Sequence, residues 1–159
     1  MLRIIFAQEV LPPFVGDHFG KRRVLGMHEV FGCGIDVEEL GRFDKLINNG
    51  DYSLMEDICT RREIDNICGD RRVRFALSFS CKEAFFKALG MSWTNSDVFW
   101  KDIELLFHGN DFKHYKVHLH NYAKGILVKN NAAIGETFLD FNEDFVLFQV
   151  VLVKMPETK

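Results

Sequence analysis

Apolar and polar positions recur along this chain with periods that outline its elements one after another. Residues 29–37 (EVFGCGIDV) are rich in β-branched and aromatic types and predict a strand. Glu39 to Leu46 places Leu40, Phe43 and Leu46 at helical spacing, and Asn48-Asn49-Gly50-Asp51 ends that helix. A short helix is expected around 60–67, because Thr60 and Glu63 fit a capping box in which each side chain satisfies a free backbone N–H. Gly69 is its stop. The strongest helical run is Arg72 to Leu89, with Gly90 as its C-terminal cap. A strand over 101–107, a turn at His108-Gly109-Asn110-Asp111 and a strand over 113–119 follow. Asn121 is expected to cap a helix reaching about residue 130, and strands near 133–140 and 145–154 close the pattern. The order β-α-α-α-β-β-α-β-β predicts an α+β fold. Residues 1–28, with Pro12-Pro13, Gly16, Gly20 and Lys21-Arg22-Arg23, read as an N-terminal extension with a short apolar strand at its start. Residues 29–155 read as one domain.

The stretch 75–90, FALSFSCKEAFFKALG, is the least ordinary part of the pattern. At about 100° per residue, Leu77, Cys81, Ala84, Phe85, Ala88 and Leu89 form one broad apolar face. Phe75, Phe79 and Phe86 form a second. Between them runs a narrow stripe of Ala76, Ser80, Glu83 and Lys87. A helix apolar on nearly all sides is a buried helix. An exposed Glu83–Lys87 pair would be a routine i,i+4 salt bridge. Burying such a pair is expensive, so a carboxylate there is better explained by a cation that it holds. Upstream, Asp36 and Glu38 share one face of the predicted strand. Two carboxylates with no base between them repel unless a cation lies between, and oxygen-only ligands suit a hard ion such as Mg²⁺. A solvated strand end is the other reading of that pair.

Composition narrows the class. The 159 residues suffice for one domain with a proper core, and 47% hydrophobic with 27% charged is ordinary for a globular protein. The 16 phenylalanines suit either an aromatic core or a subunit interface. A formal net charge of −3 and a pI near 6.1 argue against a general nucleic-acid binder. Arg61-Arg62 and Arg71-Arg72 with Arg74 are clustered all the same, as solvated helix faces or as a patch for an acidic partner. No Cys-x-x-Cys spacing occurs, and Cys33 and Cys81 read as small buried hydrophobes. Gln8-Glu9 interrupts the first apolar run, and no stretch approaches the roughly 20 residues needed to span a bilayer, so a cytoplasmic, reduced protein without a membrane partner is expected. His118 and His120 alternate on a predicted strand without a third ligand, which favours a solvent-facing pair over a metal site.

Gly34-Ile35-Asp36 followed by Lys82-Glu83-Ala84-Phe85-Phe86-Lys87, with Ala88-Leu89-Gly90 continuing, resembles the paired signatures of the 4′-phosphopantetheinyl transferase superfamily. Trp100-Lys101-Asp102-Ile103-Glu104 is similar to that group's next segment. Asp36 with Arg42 resembles the compact holo-acyl-carrier-protein synthase branch, and Asp36 with Glu38 the longer branch that serves peptide and polyketide synthases.

The resemblance implies a small antiparallel sheet packed on a long helix, and a homo-oligomer, with a trimer favoured. It implies attack of a carrier-protein serine on the β-phosphate of coenzyme A, with 3′,5′-ADP leaving, in fatty acid, polyketide or peptide biosynthesis. Asp36, Glu38 and Glu83 would then hold Mg²⁺, and Lys87, Lys82 and Ser80 would bind coenzyme A. Lys87 is the favoured phosphate contact of the two lysines. Glu38, Glu83 and Lys87 would be catalytic, with Glu38 or a metal-bound water as the base. Arg42, Arg61 and Arg62 would meet an acidic carrier. Two positions depart from the pattern: Ser78 stands where the group often has Arg, and Phe141 stands near the place of a nucleotide-binding His. The alternative is a homologue that binds carrier protein or coenzyme A without catalysis.

Overall fold

The computed structural model describes residues 5–6, 29–67, 69–92, 94, 96–109 and 111–156. Its strands are β1 (Ile5–Phe6), β2 (Val30–Glu39), β3 (Ile103–Phe107), β4 (Tyr115–Leu119), β5 (Ala132–Phe141) and β6 (Phe145–Lys154). Its helices are α1 (Leu40–Asn48), α2 (Ser53–Ile58), α3 (Arg61–Asn66), α4 (Arg71–Ala88) and α5 (Asn121–Lys129). This is the expected α+β class. From Val30 onward the expected order holds, with the short helix α2 added. A six-residue helix lacks room for a clear period, and Asp51 supports its start by accepting from the Ser53 N–H and hydroxyl.

Two antiparallel sheets flank the long helix. One has strand order β1-β5-β6-β2, and the other is the β3-β4 hairpin. Helix α4 packs on β2 and β6 on one side and on β3 on the other. Its Phe75, Leu77, Cys81, Ala84, Phe85 and Phe86 are all buried. Each large side chain so placed contributes about 1.5–3 kcal/mol through water exclusion. Aromatic edges tie α1 and the Trp100 turn to α4: Phe43 meets Phe75 at 5.2 Å, and Phe86 meets Trp100 at 5.2 Å between ring centroids.

Glycines set how closely α4 lies on β2. A Cβ at Gly34 would fall 1.9 Å from the Ala84 carbonyl oxygen, and one at Gly32 would fall 2.0 Å from that of Ala88. Only hydrogen fits at either position, so the strand carries the helix backbone itself against its own. That close approach brings Asp36 beside the helix.

Several local expectations are met and others corrected. Thr60 and Glu63 form the capping box, and Gly90 follows the end of α4 with φ +67. Asn121 does not cap α5. It is the first residue of that helix, at φ 39, and its amide donates to Asp102. The strand expected from residue 101 begins at Ile103, because Trp100–Asp102 is a 3₁₀ turn in which Asp102 accepts from the Phe99 N–H. Cys81 is buried as expected and its thiol pKa is pushed up by burial, but Cys33 is exposed, since it lies on the sheet face away from α4. Cys59 is the other buried thiol among the described residues, with its pKa raised by burial to about 12. Of the early residues, Ile5–Phe6 pairs with Phe138 and Leu139, while Lys21-Arg22-Arg23, Cys68 and Asn110 lie outside the described residues. No helix among the described residues is long and apolar enough to cross a membrane.

Candidate active site

The inward face of β2 and one stripe of α4 bring charged groups together. Asp36 is buried and Glu38 nearly so, both on the side of β2 that meets α4, while Ile35 and Val37 point away from it. Glu83 is half-buried across from them, and Lys87 is exposed one turn further along α4. Lys87 does not pair with Glu83. It reaches across to β2, where its Nζ donates to Asp36 Oδ1 at 2.7 Å and to the Ile35 carbonyl at 3.2 Å. The other Asp36 oxygen, Oδ2, is buried with no partner among the described residues. A buried carboxylate oxygen without a donor is destabilising, and it marks a place where a ligand would be accepted.

Electrostatics couple the three carboxylates. Burial lifts the Glu38 pKa above the usual carboxylate range, and the charges of Asp36 and Glu83 add to it, against the opposing pull of Arg42 and Lys87. Burial likewise lifts Glu83, with Asp36 adding and Lys87 and Arg42 opposing. Arg42, in the first turn of α1, donates from Nη1 to Glu38 Oε2 at 3.0 Å. Its guanidinium lies 4.9 Å from the Phe79 ring centroid and 5.5 Å from that of Phe43. As the side chains stand, no three Asp, Glu, His or Cys groups among the described residues form a metal cage. Lys87 occupies one oxygen of Asp36, and Arg42 one of Glu38. The donor set is all oxygen, which is what a hard divalent cation takes, and Asp36 Oδ2 is free to contribute.

Two expected coenzyme-A contacts are corrected. Lys82 is 0% exposed and faces the other side of α4 from Glu83. Its ammonium donates to Glu63 at 2.9 Å and to the Ile103 carbonyl, and its complete burial leaves a phosphate no path to it. Ser80 is also 0% exposed, and its hydroxyl donates to the Asp36 carbonyl at 3.0 Å, holding β2 to α4. Nor does the structure bring Arg61 and Arg62 to the cluster. They lie on α3, which packs against β3, where Arg61 pairs with Asp65 and Arg62 with Glu104. Arg74, counted with the surface arginines, is buried. Its guanidinium lies 4.8 Å from the Phe107 ring centroid and donates to the carbonyls of Asn66 and Gly109. Phe141 packs on Phe112, with ring centroids 4.7 Å apart and the rings tilted by 58°. His120 bonds Glu104 at 3.3 Å rather than facing solvent alone.

The sealed side of α4 contains a residue the sequence reading saw only as a cap. Glu63 accepts from Thr60 N, Ser78 Oγ, Lys82 Nζ and Leu105 N, which satisfies a buried carboxylate completely. Arg74, Ser78 and Lys82 recur every fourth residue on that side, a polar stripe that signalled a buried network.

Residues 32–137 match the sequence profile of the 4′-phosphopantetheinyl transferase superfamily. The chain belongs to that superfamily. It is 32% identical over 117 residues to a holo-[acyl-carrier-protein] synthase of Geobacter sulfurreducens, covering 72% of this chain and 89% of that protein. It is 34% identical over 127 residues to the one from Bacillus cytotoxicus, covering 77% and 95%. Among solved structures it is similar to the Bacillus anthracis holo-(acyl-carrier-protein) synthase in complex with CoA (3′,5′-ADP), with a TM-score of 0.61 and 25% identity over 79% of this chain and 98% of that one. The Neisseria meningitidis synthase shares the fold, with a TM-score of 0.63 over 79% of this chain and 99% of that one at 21% identity. In this superfamily member, the stretch matched by the profile contains both halves of the carboxylate cluster, β2 and α4.

Proposed function

We propose that this chain transfers the 4′-phosphopantetheine group of coenzyme A to a serine of an acidic acyl or peptidyl carrier protein, with Mg²⁺ held by Asp36, Glu38 and Glu83. The observation that carries the reading is the convergence of these three carboxylates beside Lys87, with Asp36 Oδ2 buried and unpartnered. When bound, the ion would neutralise and orient the pyrophosphate of coenzyme A.

The chain's own groups do the rest by position and charge. Lys87, exposed and anchored by Asp36 and the Ile35 carbonyl, offers its remaining ammonium donor to a phosphate oxygen. The serine Oγ bonds to the β-phosphorus as the bond from that phosphorus to the bridging oxygen breaks, and 3′,5′-ADP leaves with the electron pair. The serine proton goes to the Glu38 carboxylate, which lies in the cluster beside Asp36 and Glu83. Arg42, on the exposed side of the cluster, meets the carrier's acidic surface. The outer face of the sheet exposes Ile35, Val37 and Phe145, and an apolar sheet face of this kind supports a homo-oligomer, with a trimer favoured. A cytoplasmic location goes with these substrates.

The test is intact-mass spectrometry of a panel of apo carrier proteins after incubation with this protein, coenzyme A and Mg²⁺. Addition of one phosphopantetheine to a carrier, absent with Glu83→Gln, is the expected result. A well-folded protein that modifies no carrier would instead support the homologue that binds without catalysis.

A further inference from the structure

The Arg42–Glu38 pair does two things that conflict. Arg42 and Lys87 are half-exposed cations that touch the cluster; Arg42, with its side chain 50% exposed, is paired to Glu38, whose side chain is 14% exposed. The contact spans the junction of β2 and α1, four residues apart, and uses one of the five guanidinium donors. The rings of Phe79 and Phe43 hold the cation from the side, so it does not depend on Glu38 for its place. Lys45, exposed one turn along α1, adds a second positive charge to the same surface. The charged groups packed around Glu38 are Asp36, Arg42, Glu83 and Lys87.

We propose that this ion pair is an exchangeable latch: an acidic carrier surface docking on α1 takes the Arg42 guanidinium and returns the Glu38 carboxylate to Asp36 and Glu83. This rests on the carrier-modifying function argued above. The exchange is easy in one place and forbidden in another. An ion pair this exposed shifts an equilibrium by about fivefold at most, so one incoming carboxylate suffices to replace it. The sealed Lys82–Glu63 pair on the other side of α4 has no such route. A latch of this kind would keep Glu38 engaged until the acceptor is in place.

The latch is read by binding alone, without coenzyme A or metal. The probe is the apo carrier protein that accepts the arm in the mass-spectrometric assay, fluorescently labelled, with Kd measured by anisotropy at low salt. Glu38→Gln frees Arg42 and is expected to tighten carrier binding about two- to fivefold. Arg42→Ala is expected to weaken it, and Glu38→Gln added to Arg42→Ala is expected to change nothing further. Glu39→Gln removes the same charge from the neighbouring exposed residue without touching Arg42, and controls for general repulsion. Equal tightening by Glu38→Gln in both backgrounds, or none in either, overturns the latch while leaving the transferase intact. If wild-type protein neither modifies nor binds any carrier, the functional reading itself has failed.

Discussion

Lys82 and Glu83 are neighbours in the chain and face different sides of α4. On one side, Lys82, Glu63 and Ser78 are fully buried, and every oxygen of Glu63 has donors from Thr60, Ser78, Lys82 and Leu105. On the other, Asp36, Glu38 and Glu83 outnumber the cations beside them, one Asp36 oxygen is unpartnered, and burial and mutual repulsion lift both glutamates. The sealed side spends its charges on holding α3, α4 and β3 together. The open side keeps charge unsatisfied, and that surplus is what a phosphate-bound cation would relieve. Adjacent residues of one short motif thus divide into structure and chemistry, because a helix turns about 100° between them.

Breaking the sealed side is expected to have the largest effect. Lys82→Met leaves the Glu63 carboxylate buried without its cation, and should destabilise the protein by about 3–5 kcal/mol in urea denaturation. Adding Glu63→Gln should recover a substantial part, because the two groups form one network. Full additivity would mean that they do not. On the open side, Glu83→Gln should lower the transfer rate by about 10²–10³-fold with the fold intact, a loss of the size seen when one charge-stabilising group is removed. An unfolded Glu83→Gln protein would erase the distinction between the two sides.

Gly34→Ala tests what joins the sides. The new Cβ meets the Ala84 carbonyl, so β2 and α4 must separate, with an expected loss of about 1–3 kcal/mol in thermal unfolding. Transfer should fall further than stability alone explains, because Asp36 and Glu83 move apart. The smallest effect is in pH dependence. A carboxyl whose folded pKa is raised stabilises the folded state fully below its unfolded value, and that contribution is lost as pH rises through the folded pKa. Metal-free protein should therefore gain stability as pH falls from neutral through the raised values of Glu38 and Glu83 toward the ordinary carboxylate range. Glu38→Gln/Glu83→Gln should flatten that rise, and Mg²⁺ should raise the melting temperature more at pH 7.5 than at pH 5.5. A Mg²⁺ effect independent of pH would separate the ion from these carboxylates.

Much of this was legible in the chain because it depends on local periodicity. Alternating strands, the Thr60–Glu63 box, the apolar faces of residues 75–90 and the glycine after them are patterns set within a few residues. Asp36, Glu38 and Glu83 were legible as candidates because carboxylates in apolar stretches are expensive, and the family signatures pointed to the same residues. Which charges face which was not. Ser80 shares a helix stripe with Glu83 and Lys82 shares its motif, and only the packing of β3 and α3 against one side of the helix removes Lys82 from the site. Likewise the resemblance marked Arg42 as a carrier contact, but its hold on Glu38 depends on how β2 turns into α1 and on the ring of Phe79 beside it. Sequence alone determined the elements and the residues able to do chemistry, because propensity and period act locally. Tertiary structure decided which of those residues are sealed and which are left short of partners, because satisfaction of a charge depends on groups brought from distant parts of the chain.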